Sequence, residues 1–558
     1  METPVLIVGA GPVGLALALD LGWRGVDCIV IDQSDGSIAT PRMNEVNIRT
    51  MEFCRRWGIA EDVLHCPFPA DYPMDVAIAT RLGAHELGRI ERPARARQVP
   101  GPHSPMNLQV CSQHWFDPIL RARAASFSGV RILQRHRLES FVETTTGVEA
   151  RVTNLADDSQ QVIRTTWLAG ADGASSRIRR ALGIELLGSE TLSHSMHLFF
   201  RAPDLLAQLG VRPGTFFSMI DRAGLWGNVR AIDPASGLWR LLFDVPEGTE
   251  AGDIDRDACL ARAMARPVKV EWLTASKWTR RGVVAERYAS ERVFLLGDAV
   301  HQVSPTGALG MNTGMADAVD LGWKLAGTLA GWGGARLLGS YNADRQPAGA
   351  RNVEMATRFY EGQARFQQSL DAIEDDTPEG AALRATVGEA VVAHVRRMFR
   401  TLGLQIGFRY EDSPIGISDG TTPPPDGPAD YTPTARAGAR APHMPLADGR
   451  STLDLFGRGY TLLQLGSGEV SCGGSPGIAR DAARDSDRMP ARDAGSIAIE
   501  EAARSRGVPL EVVVLDDSAV SACYERRHVL VRPDGHVAWR GDEAPKDALA
   551  IIDRVRGA

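Results

Sequence analysis

The sequence predicts an α/β fold divided into several domains, and three observations lead to this prediction. With 558 residues, the chain is too long for a single hydrophobic core. Short apolar runs such as 5–8 and 293–296 lead into glycine-rich turns and then into helical patterns, which is typical of strands in a parallel sheet. A break rich in proline, glycine and threonine at 419–445 separates these patterns from a last set of strands and helices.

The first glycine-rich turn has the context of a dinucleotide-binding fingerprint. The sequence GAGPVG at 9–14 follows the apolar run at 5–8 and precedes a helical pattern. Gly9 permits the tight turn, Gly11 lets the backbone approach a pyrophosphate, and Gly14 lets helix and strand pack closely. The first N–H groups of the helix and the positive end of its dipole favour phosphate binding. A glycine turn without a ligand is the alternative.

An acidic residue completes this fingerprint. The apolar run at 28–31 ends in Asp32, eighteen residues after Gly14. A carboxylate in this position accepts hydrogen bonds from ribose hydroxyls and repels a 2′-phosphate. The fingerprint by itself does not distinguish FAD from NAD.

The second glycine-rich stretch narrows the choice to a flavin. Gly297 and Asp298 follow the apolar run at 293–296, at the carboxyl end of a strand, where ligands bind in open α/β sheets. Asp298 can hold a ribose or polyol hydroxyl. The prolines and glycines at 305–314 bring the backbone close to a flat group just before the next helix, whose N-terminus would stabilise negative charge at the N1/O2 edge of a flavin. The alternative is a purely structural strand-to-helix turn.

The remaining elements follow from the apolar pattern. We expect antiparallel strands at 130–133, 141–143 and 148–152, and a second antiparallel sheet from 196–200, 215–220, 227–232 and 238–243. Beyond the break, strands at 460–465 and 512–515, a helix at 496–506 and a hairpin at 528–539 around a Pro-Asp-Gly turn indicate a small α/β domain.

Three separated motifs carry a resemblance to a known family. They are GAGPVG at 9–14, GADGASSRIR at 170–179 and GDAVHQVSPTGALGMNTGMADAVDLGWKLA at 297–326. With them the chain resembles the group A, single-component flavoprotein monooxygenases, the family of phenol hydroxylase and para-hydroxybenzoate hydroxylase. It departs from the family pattern at Ser304, where proline is usual, and at Ala308-Leu309, where Gly-Gln is usual.

This resemblance implies a Rossmann-like FAD-binding domain with an inserted antiparallel substrate domain and a C-terminal thioredoxin-like domain. The implied FAD-binding residues are Gly9, Gly11, Pro12, Gly14, Asp32, Gln33, Arg42, Gln113, Asp172, Gly173, Gly297, Asp298, Gly310, Met311 and Asn312. Asp172 belongs to the acidic turn that the family links to both FAD and the nicotinamide nucleotide. The implied domains are 1–74, 106–184 and 281–345 for FAD, 75–105 and 185–280 for substrate, a helical segment at 346–418, a linker at 419–445 and the thioredoxin-like domain at 446–558.

The implied reaction is the hydroxylation of an aromatic, phenol-like small molecule. NADH or NADPH reduces FAD, O2 adds to form a flavin C4a-hydroperoxide, and its distal oxygen is transferred to the ring. Only one dinucleotide fingerprint is visible, so the nicotinamide nucleotide is expected to bind transiently. Two alternatives stay open: another FAD-dependent oxidoreductase of this fold, such as a halogenase, although no W-x-W-x-I-P element occurs, and a non-catalytic FAD-binding protein.

Substrate residues are expected in the second sheet and beside the flavin. The candidates are His194, His197, Met219, Trp226, Asn228 and Arg240 from the sheet and Pro305 from the glycine-rich stretch. A packed or solvated structural role is the alternative for each. His301 lies in the flavin motif, and we interpret it as a flavin-loop residue rather than a catalytic base.

Composition limits the binding partners and metal or disulfide sites that we expect for the chain. The net charge of −7 gives no electrostatic reason to expect nucleic acid or an anionic membrane. The seven cysteines have no close pair in sequence and no C-x-x-C motif, which disfavours a disulfide framework, a zinc site and a dithiol in the C-terminal domain. We expect a cytoplasmic protein without a metal, whose C-terminal domain has a structural role or makes the subunit contact of a homodimer.

Overall fold

The computed structural model describes residues 1–466 and 491–558. The strands are β1 Glu2–Val8, β2 Cys28–Asp32, β3 Glu45–Val46, β4 Val76–Ala79, β5 Glu86–Ile90, β6 Gln109–Val110, β7 Val130–Gln134, β8 His136–Glu143, β9 Val148–Asn154, β10 Gln160–Gly170, β11 Leu186–Arg201, β12 Phe216–Asp221, β13 Gly224–Asp233, β14 Leu238–Val245, β15 Glu271–Ala285, β16 Val293–Leu295, β17 His301–Gln302, β18 Tyr460–Leu465, β19 Leu510–Leu515, β20 His528–Val531 and β21 Val537–Gly541. The helices are α1 Pro12–Trp23, α2 Ile48–Trp57, α3 Ala60–Leu64, α4 Gln113–Ala125, α5 Arg177–Ala181, α6 Leu205–Leu209, α7 Arg256–Ala263, α8 Gly310–Leu329, α9 Ser340–Glu361, α10 Pro378–Phe399, α11 Leu402–Ile406, α12 Ala494–Ser505, α13 Ser518–Tyr524 and α14 Ala548–Val555.

The first sheet carries both glycine-rich turns. Its order is β7-β2-β1-β10-β9-β8, and β16 pairs in parallel with the last residues of β10. The apolar residues of β1 and β2 are fully buried, as expected for strands covered on both faces. Helix α1 is buried along most of its length and contacts both α4 and α8. The predicted α/β fold is confirmed.

One strand of this sheet pairs differently from the prediction. We expected 130–133 to join an antiparallel set, but β7 pairs in parallel with β2. The reason is the crossover through α4, which returns the chain to the same end of the sheet before β7 begins. The other two members of the set, β8 and β9, are antiparallel as expected.

The second sheet has eight strands in the order β17-β15-β11-β14-β13-β12-β4-β5. The pairs β11/β14, β13/β14 and β12/β13 are antiparallel, as predicted, whereas β4 joins β12 in parallel. One face packs on an apolar cluster that includes Met196, Leu198 and Met219. The other face turns toward the flavin motif, because Asn228, Arg240 and Leu242 on that face line one cleft with residues 305–309. At the sheet edge, β17 of that motif pairs with β15.

The C-terminal part forms a four-stranded sheet in the order β19-β18-β20-β21. The predicted hairpin is present as β20 and β21, and the predicted helix as α12. Residues 419–445, all of them described, contain no helix or strand, which agrees with the predicted break. The thioredoxin-like assignment stays a prediction, and Cys472 lies outside the described residues. None of the described helices is both long and apolar enough to span a lipid bilayer.

Candidate active site

In the first glycine turn, packing against neighbouring backbone requires Gly9 and Gly14, whereas Gly11 faces open space that a ligand can fill. A Cβ on Gly9 would overlap the carbonyl oxygen of Ala171, and a Cβ on Gly14 would overlap that of Gly9. A Cβ on Gly11 would have no described atom within 4 Å, so open space lies in front of this residue. No side chain in the described chain caps the N-terminus of α1, which begins at Pro12. Its free N–H groups therefore face space into which a pyrophosphate fits.

The Asp32 carboxylate stabilises this turn through hydrogen bonds. One of its carboxylate oxygens accepts a hydrogen bond from the Ala10 N–H at 2.6 Å, and the other accepts from the N–H of Ser34 at 2.7 Å and from its hydroxyl at 2.6 Å. The Oδ2 atom, which accepts only from Ala10, has a further lone pair, so a ribose hydroxyl can bind there in addition. Gln33, the next residue, is exposed.

The two halves of the site meet at Val13. Gly314 and Gly297, which is at φ +64°, approach its side chain so closely that a Cβ on either would come within 2.5 and 3.1 Å of it. Asp298 is exposed beside this contact. Helix α8 begins at Gly310, and no described side chain caps its N-terminus either.

The side chain of Asn312 is structural. Its Oδ1 accepts from the Asn47 N–H at 3.0 Å and from the Thr50 hydroxyl at 2.7 Å, and its Nδ2 donates to the carbonyl oxygens of Glu45 and Ala308. These bonds fix the first turn of α8 against the segment before α2. A flavin contact from Asn312 is then left to its backbone, as the resemblance implied.

Arg42 and Gln113 are joined, although they are far apart in sequence. The Gln113 Oε1 accepts from the Arg42 N–H at 3.0 Å, and its Nε2 donates to Asp117 at 3.2 Å. Burial raises the pKa of Asp117 to about 7. Sequence reasoning missed Asp117, because an acidic residue in a helix carries no signal of its burial.

The two carboxylate oxygens of Asp172 differ in their contacts: one is bonded within the fold and, among the described residues, the other is free for a ligand. Its Oδ2 accepts from the N–H groups of Arg177 at 2.8 Å and Ile178 at 3.2 Å, which caps α5. Its Oδ1 is buried and has no partner within the described chain. Gly173 follows at φ +78°, a conformation that favours glycine.

These features fit FAD. The open space in front of Gly11 leaves room for a pyrophosphate. The two uncapped helix N-termini supply hydrogen-bond donors, and Asp298 and the unpartnered oxygen of Asp172 supply acceptors for a dinucleotide.

A cleft lies between the second sheet, the 305–309 loop and the ends of α9 and α10. It holds about 1280 Å³ of space, counting the part open to solvent. Its lining includes Glu45, Arg92, Leu108, Phe216, Trp226, Asn228, Arg230, Arg240, Leu242, Asp244, Arg280, Pro305, Thr306, Ala308, Gln363, Val395, Met398 and Phe399.

The cleft has an excess of positive charge. Arg230 pairs with Glu45 at 2.8 Å, and Arg280 lies 3.8 Å from Asp244. In residues 1–466 and 491–558, no carboxylate oxygen lies within 4.0 Å of the Arg240 guanidinium, and its Nε is buried without a hydrogen-bond partner. Burial, and then the charges of Arg230 and Arg280, lower the pKa of Arg240 to about 9. Arg240 is therefore an uncompensated cation in the cleft.

A second arginine in the cleft is also poorly compensated. Arg92 has no carboxylate within 4.0 Å in the described part of the chain, and it lies over the ring of Phe399 at 4.9 Å. Burial lowers the pKa of Arg92, and the charge of Glu45 opposes this effect.

The predicted substrate residues divide into three groups. Pro305, Trp226, Asn228 and Arg240 line the cleft, and the Asn228 Oδ1 is buried without a partner in the described chain. His197 shares a sheet face with Leu242 and Arg240 but does not line the cleft; burial, then Arg240, Arg280 and Arg42, hold its pKa well below the usual value.

The third group is His194 and Met219, and here our expectation is corrected. His194 lies three positions from His197 on β11 and so faces the opposite side of the sheet. Met219 is fully buried in the apolar cluster under the sheet. His301 is also fully buried, with its Nε2 2.8 Å from Asp317, beneath the Gly297 turn.

Several cleft residues lie outside every motif. Glu45 lies in β3 on the FAD-domain side, and Arg92 lies in an arginine-rich connection after β5. The end of α10 contributes Val395, Met398 and Phe399. The amphipathic pattern of α10 predicts a helix but not the surface it covers.

Two family models match the chain. A model described as an FAD binding domain matches residues 2–356, and one described as aromatic-ring hydroxylase, C-terminal, matches residues 434–558. The tetracenomycin B2 monooxygenase-dioxygenase of Streptomyces olivaceus is 31% identical over 573 residues, which cover 100% of this chain and 98% of that protein.

Solved structures resemble the chain over its full length. Chromopyrrolic acid-soaked RebC with bound 7-carboxy-K252c is 38% identical, with a TM-score of 0.89, and the match covers 100% of this chain and 99% of that one. Aklavinone-11 hydroxylase, in a ternary complex with FAD and aklavinone, is 29% identical with a TM-score of 0.79, and the match covers 100% and 99%.

Proposed function

The chain belongs to the FAD-binding family of aromatic-ring hydroxylases and is an FAD-dependent monooxygenase that uses NAD(P)H and O2; we propose that its substrate is an aromatic carboxylic acid of more than one ring. The observation that carries this proposal is the uncompensated Arg240 in the cleft. A buried cation without a counter-ion is costly, and a substrate carboxylate removes that cost when it binds.

Two further observations support the same substrate class. Arg92 supplies a second cation to the lining of the cleft, next to Phe399. The similar protein RebC, when soaked with chromopyrrolic acid, has 7-carboxy-K252c bound, and both names denote acids. The lining of the cleft runs from Asn228 and Arg240 on the second sheet to Met398 and Phe399 on α10, which supports a substrate larger than a single ring.

We propose a division of roles among the residues of the site. When bound, FAD supplies electron transfer from NAD(P)H and the activation of O2. The glycine turns, Asp32, Arg42, Gln113, Asp172 and Asp298 would hold FAD, and the uncapped N-terminus of α8 would supply N–H groups to it. Arg240 binds the substrate carboxylate.

The walls of the cleft orient the ring system and exclude water. Phe216 and Phe399 present aromatic surface, and the Asn228 Oδ1 accepts a hydrogen bond from a substrate N–H or O–H. Pro305 and the loop after it separate the substrate from the FAD side. Its lowered pKa keeps His197 neutral, so His197 adds no further positive charge beside Arg240.

The experiment compares matched pairs of aromatic compounds. Substrate-stimulated NAD(P)H oxidation is measured for polycyclic aromatic acids and for their methyl esters, and products are analysed for oxygen from ¹⁸O₂. We expect stimulation and ¹⁸O incorporation with the acids and at least tenfold weaker stimulation with the esters. Equal activity with acid and ester would contradict the substrate class but not the monooxygenase activity.

We also propose that the chain acts in the cytoplasm as a homodimer with the domain boundaries given above. The lack of a C-x-x-C motif in the C-terminal domain supports a structural or subunit-contact role for that domain. Size-exclusion chromatography with light scattering tests the oligomeric state, and a monomer at micromolar concentration would contradict it.

A further inference from the structure

A buried carboxylate lies directly beneath the Gly297-Asp298 turn. The Asp317 Oδ2 accepts hydrogen bonds from the Gly297 N–H at 3.1 Å and contacts the His301 Nε2 at 2.8 Å. Asp317 and His301 are fully buried, so neither can touch FAD or substrate. Asp317 therefore fixes the backbone from which Asp298 projects.

Arg345 connects this carboxylate to the start of α8. Its Nε donates to Asp317 Oδ1 at 2.7 Å, its Nη2 to the Thr313 carbonyl oxygen at 3.1 Å and its Nη1 to the Tyr410 hydroxyl at 3.0 Å. The guanidinium is planar, so these three bonds fix the turn, the first part of α8 and Tyr410 relative to one another. Only 1% of Arg345 is exposed, and the charge of Asp317 compensates its own.

Tyr410 contacts the C-terminal hairpin. Its ring lies 4.3 Å from that of His536, and the Arg532 guanidinium lies 4.9 Å from its centre. Both residues lie at the turn between β20 and β21 and are almost fully buried.

The same hairpin is held on α8 and α9 by ion pairs. Arg532 contacts Asp320 at 2.8 Å and Asp344 at 3.0 Å, and Lys324 pairs with both carboxylates at 2.7 and 2.8 Å. Removing one member of such a buried cluster leaves its partners without compensation, so the hairpin is held in one position. A surface tether between domains would not need four buried charges.

We propose that the C-terminal hairpin is a positioning element for the second half of the flavin site, acting through Tyr410 and Arg345 on Asp317 and the Gly297-Asp298 turn. The hairpin fixes Tyr410, Tyr410 fixes the rotamer of Arg345, and Arg345 fixes both the turn and the first residues of α8. FAD affinity therefore depends on residues of a domain that lies outside the FAD-binding fold.

The test compares two buried tyrosines in the full-length enzyme. Tyr410→Phe removes the hydroxyl that binds Arg345, and Tyr460→Phe removes a hydroxyl that donates to the Val555 carbonyl oxygen at 2.7 Å within the C-terminal domain. FAD is removed, and its Kd is measured by flavin fluorescence, together with the Tm of the apo protein and the flavin midpoint potential. We expect the Kd to rise about three- to tenfold for Tyr410→Phe and to stay within a factor of about two for Tyr460→Phe.

A second variant makes the outcome independent of one hydroxyl. Arg345→Lys keeps the charge opposite Asp317 but cannot bind the three partners together, and we expect at least a tenfold rise in the FAD Kd. An unchanged FAD Kd in Tyr410→Phe, or an equal rise in Tyr410→Phe and Tyr460→Phe, would show that the cluster only stabilises the fold and would overturn the proposal. If Arg345→Lys does not fold, the tyrosine pair decides the question.

Discussion

Replacing Arg240 by methionine should make the substrate-free enzyme more stable while it weakens substrate binding. Methionine keeps most of the apolar stem and removes the guanidinium. Arg240 has no carboxylate within 4.0 Å among the described residues, so no partner is left unpaired by the change. This separates Arg240 from Arg230, which pairs with Glu45 at 2.8 Å.

The magnitude follows from the lowered pKa of Arg240. A fall from the ordinary value of arginine to about 9 corresponds to at most about 5 kcal/mol of unfavourable free energy at neutral pH, where the group is still charged. Because methionine packs imperfectly into a polar cleft, we expect the free energy of unfolding to rise by about 1 to 3 kcal/mol. The lost charge-assisted hydrogen bonds to a carboxylate are worth about 1.5 to 3 kcal/mol, so KM for an aromatic acid should rise about ten- to 150-fold.

The assay has two parts. Urea unfolding of the FAD-loaded enzyme at pH 7 without substrate gives the stability, and the NAD(P)H oxidation assay gives KM for an aromatic acid and for its methyl ester. The matched control is Arg230→Met, which leaves Glu45 without its partner and should lower the stability by about 1 to 3 kcal/mol.

Two results would refute this reasoning. A loss of stability in Arg240→Met would mean that the guanidinium is compensated in the free enzyme. An unchanged KM for the acid would mean that its carboxylate binds elsewhere, with Arg92 as the next candidate.

Other predictions follow from the glycine turn and from the C-terminal hairpin. Gly11→Ala should leave the Tm of the apo protein nearly unchanged but raise the FAD Kd at least tenfold, since its Cβ fills only ligand space; apo calorimetry and FAD titration measure both. Gly14→Ala should lower the Tm of the apo protein by several degrees, because its Cβ overlaps the Gly9 carbonyl oxygen. Burial holds the pKa of His536 at about 4, below the ordinary value of about 6.5, so the unfolded chain takes up the proton first and stability should fall by about 3 kcal/mol as pH drops from 6.5 to 4. His536→Phe should flatten this part of the urea-unfolding pH profile, and an unchanged slope would contradict the assignment.

Features that depend on local backbone requirements were predictable from the sequence. The turn at 9–14, the Gly297-Asp298 turn and the hairpin of β20 and β21 are present as expected, because each depends on residues adjacent in the chain. The pairing of β7 was not predictable in this way. Its apolar pattern fits either neighbour, and the crossover through α4 determines that it joins β2 in parallel.

The chemistry of the cleft depends on tertiary contacts more than the turns and the strand pairing do. The sequence identified Arg240 as one of several candidates, but charge compensation depends on residues distant in sequence: Glu45 reaches Arg230, and Asp244 approaches Arg280. The strand pattern makes His194 a candidate, but in the structure it faces the side of the sheet opposite to His197. A periodic pattern gives alternation along a strand, but not which face meets the flavin.

By itself, the sequence determined a dinucleotide site, because such a site requires glycines and a carboxylate at fixed local spacings, and the resemblance of three motifs to the flavoprotein monooxygenases implied FAD and the reaction class. The tertiary structure alone showed which arginine is uncompensated, that α10 forms one wall of the cleft and that the C-terminal hairpin reaches the FAD domain through Tyr410. The physical reason is that charge compensation and burial are properties of a residue's neighbours in space, and those neighbours come from segments hundreds of residues apart.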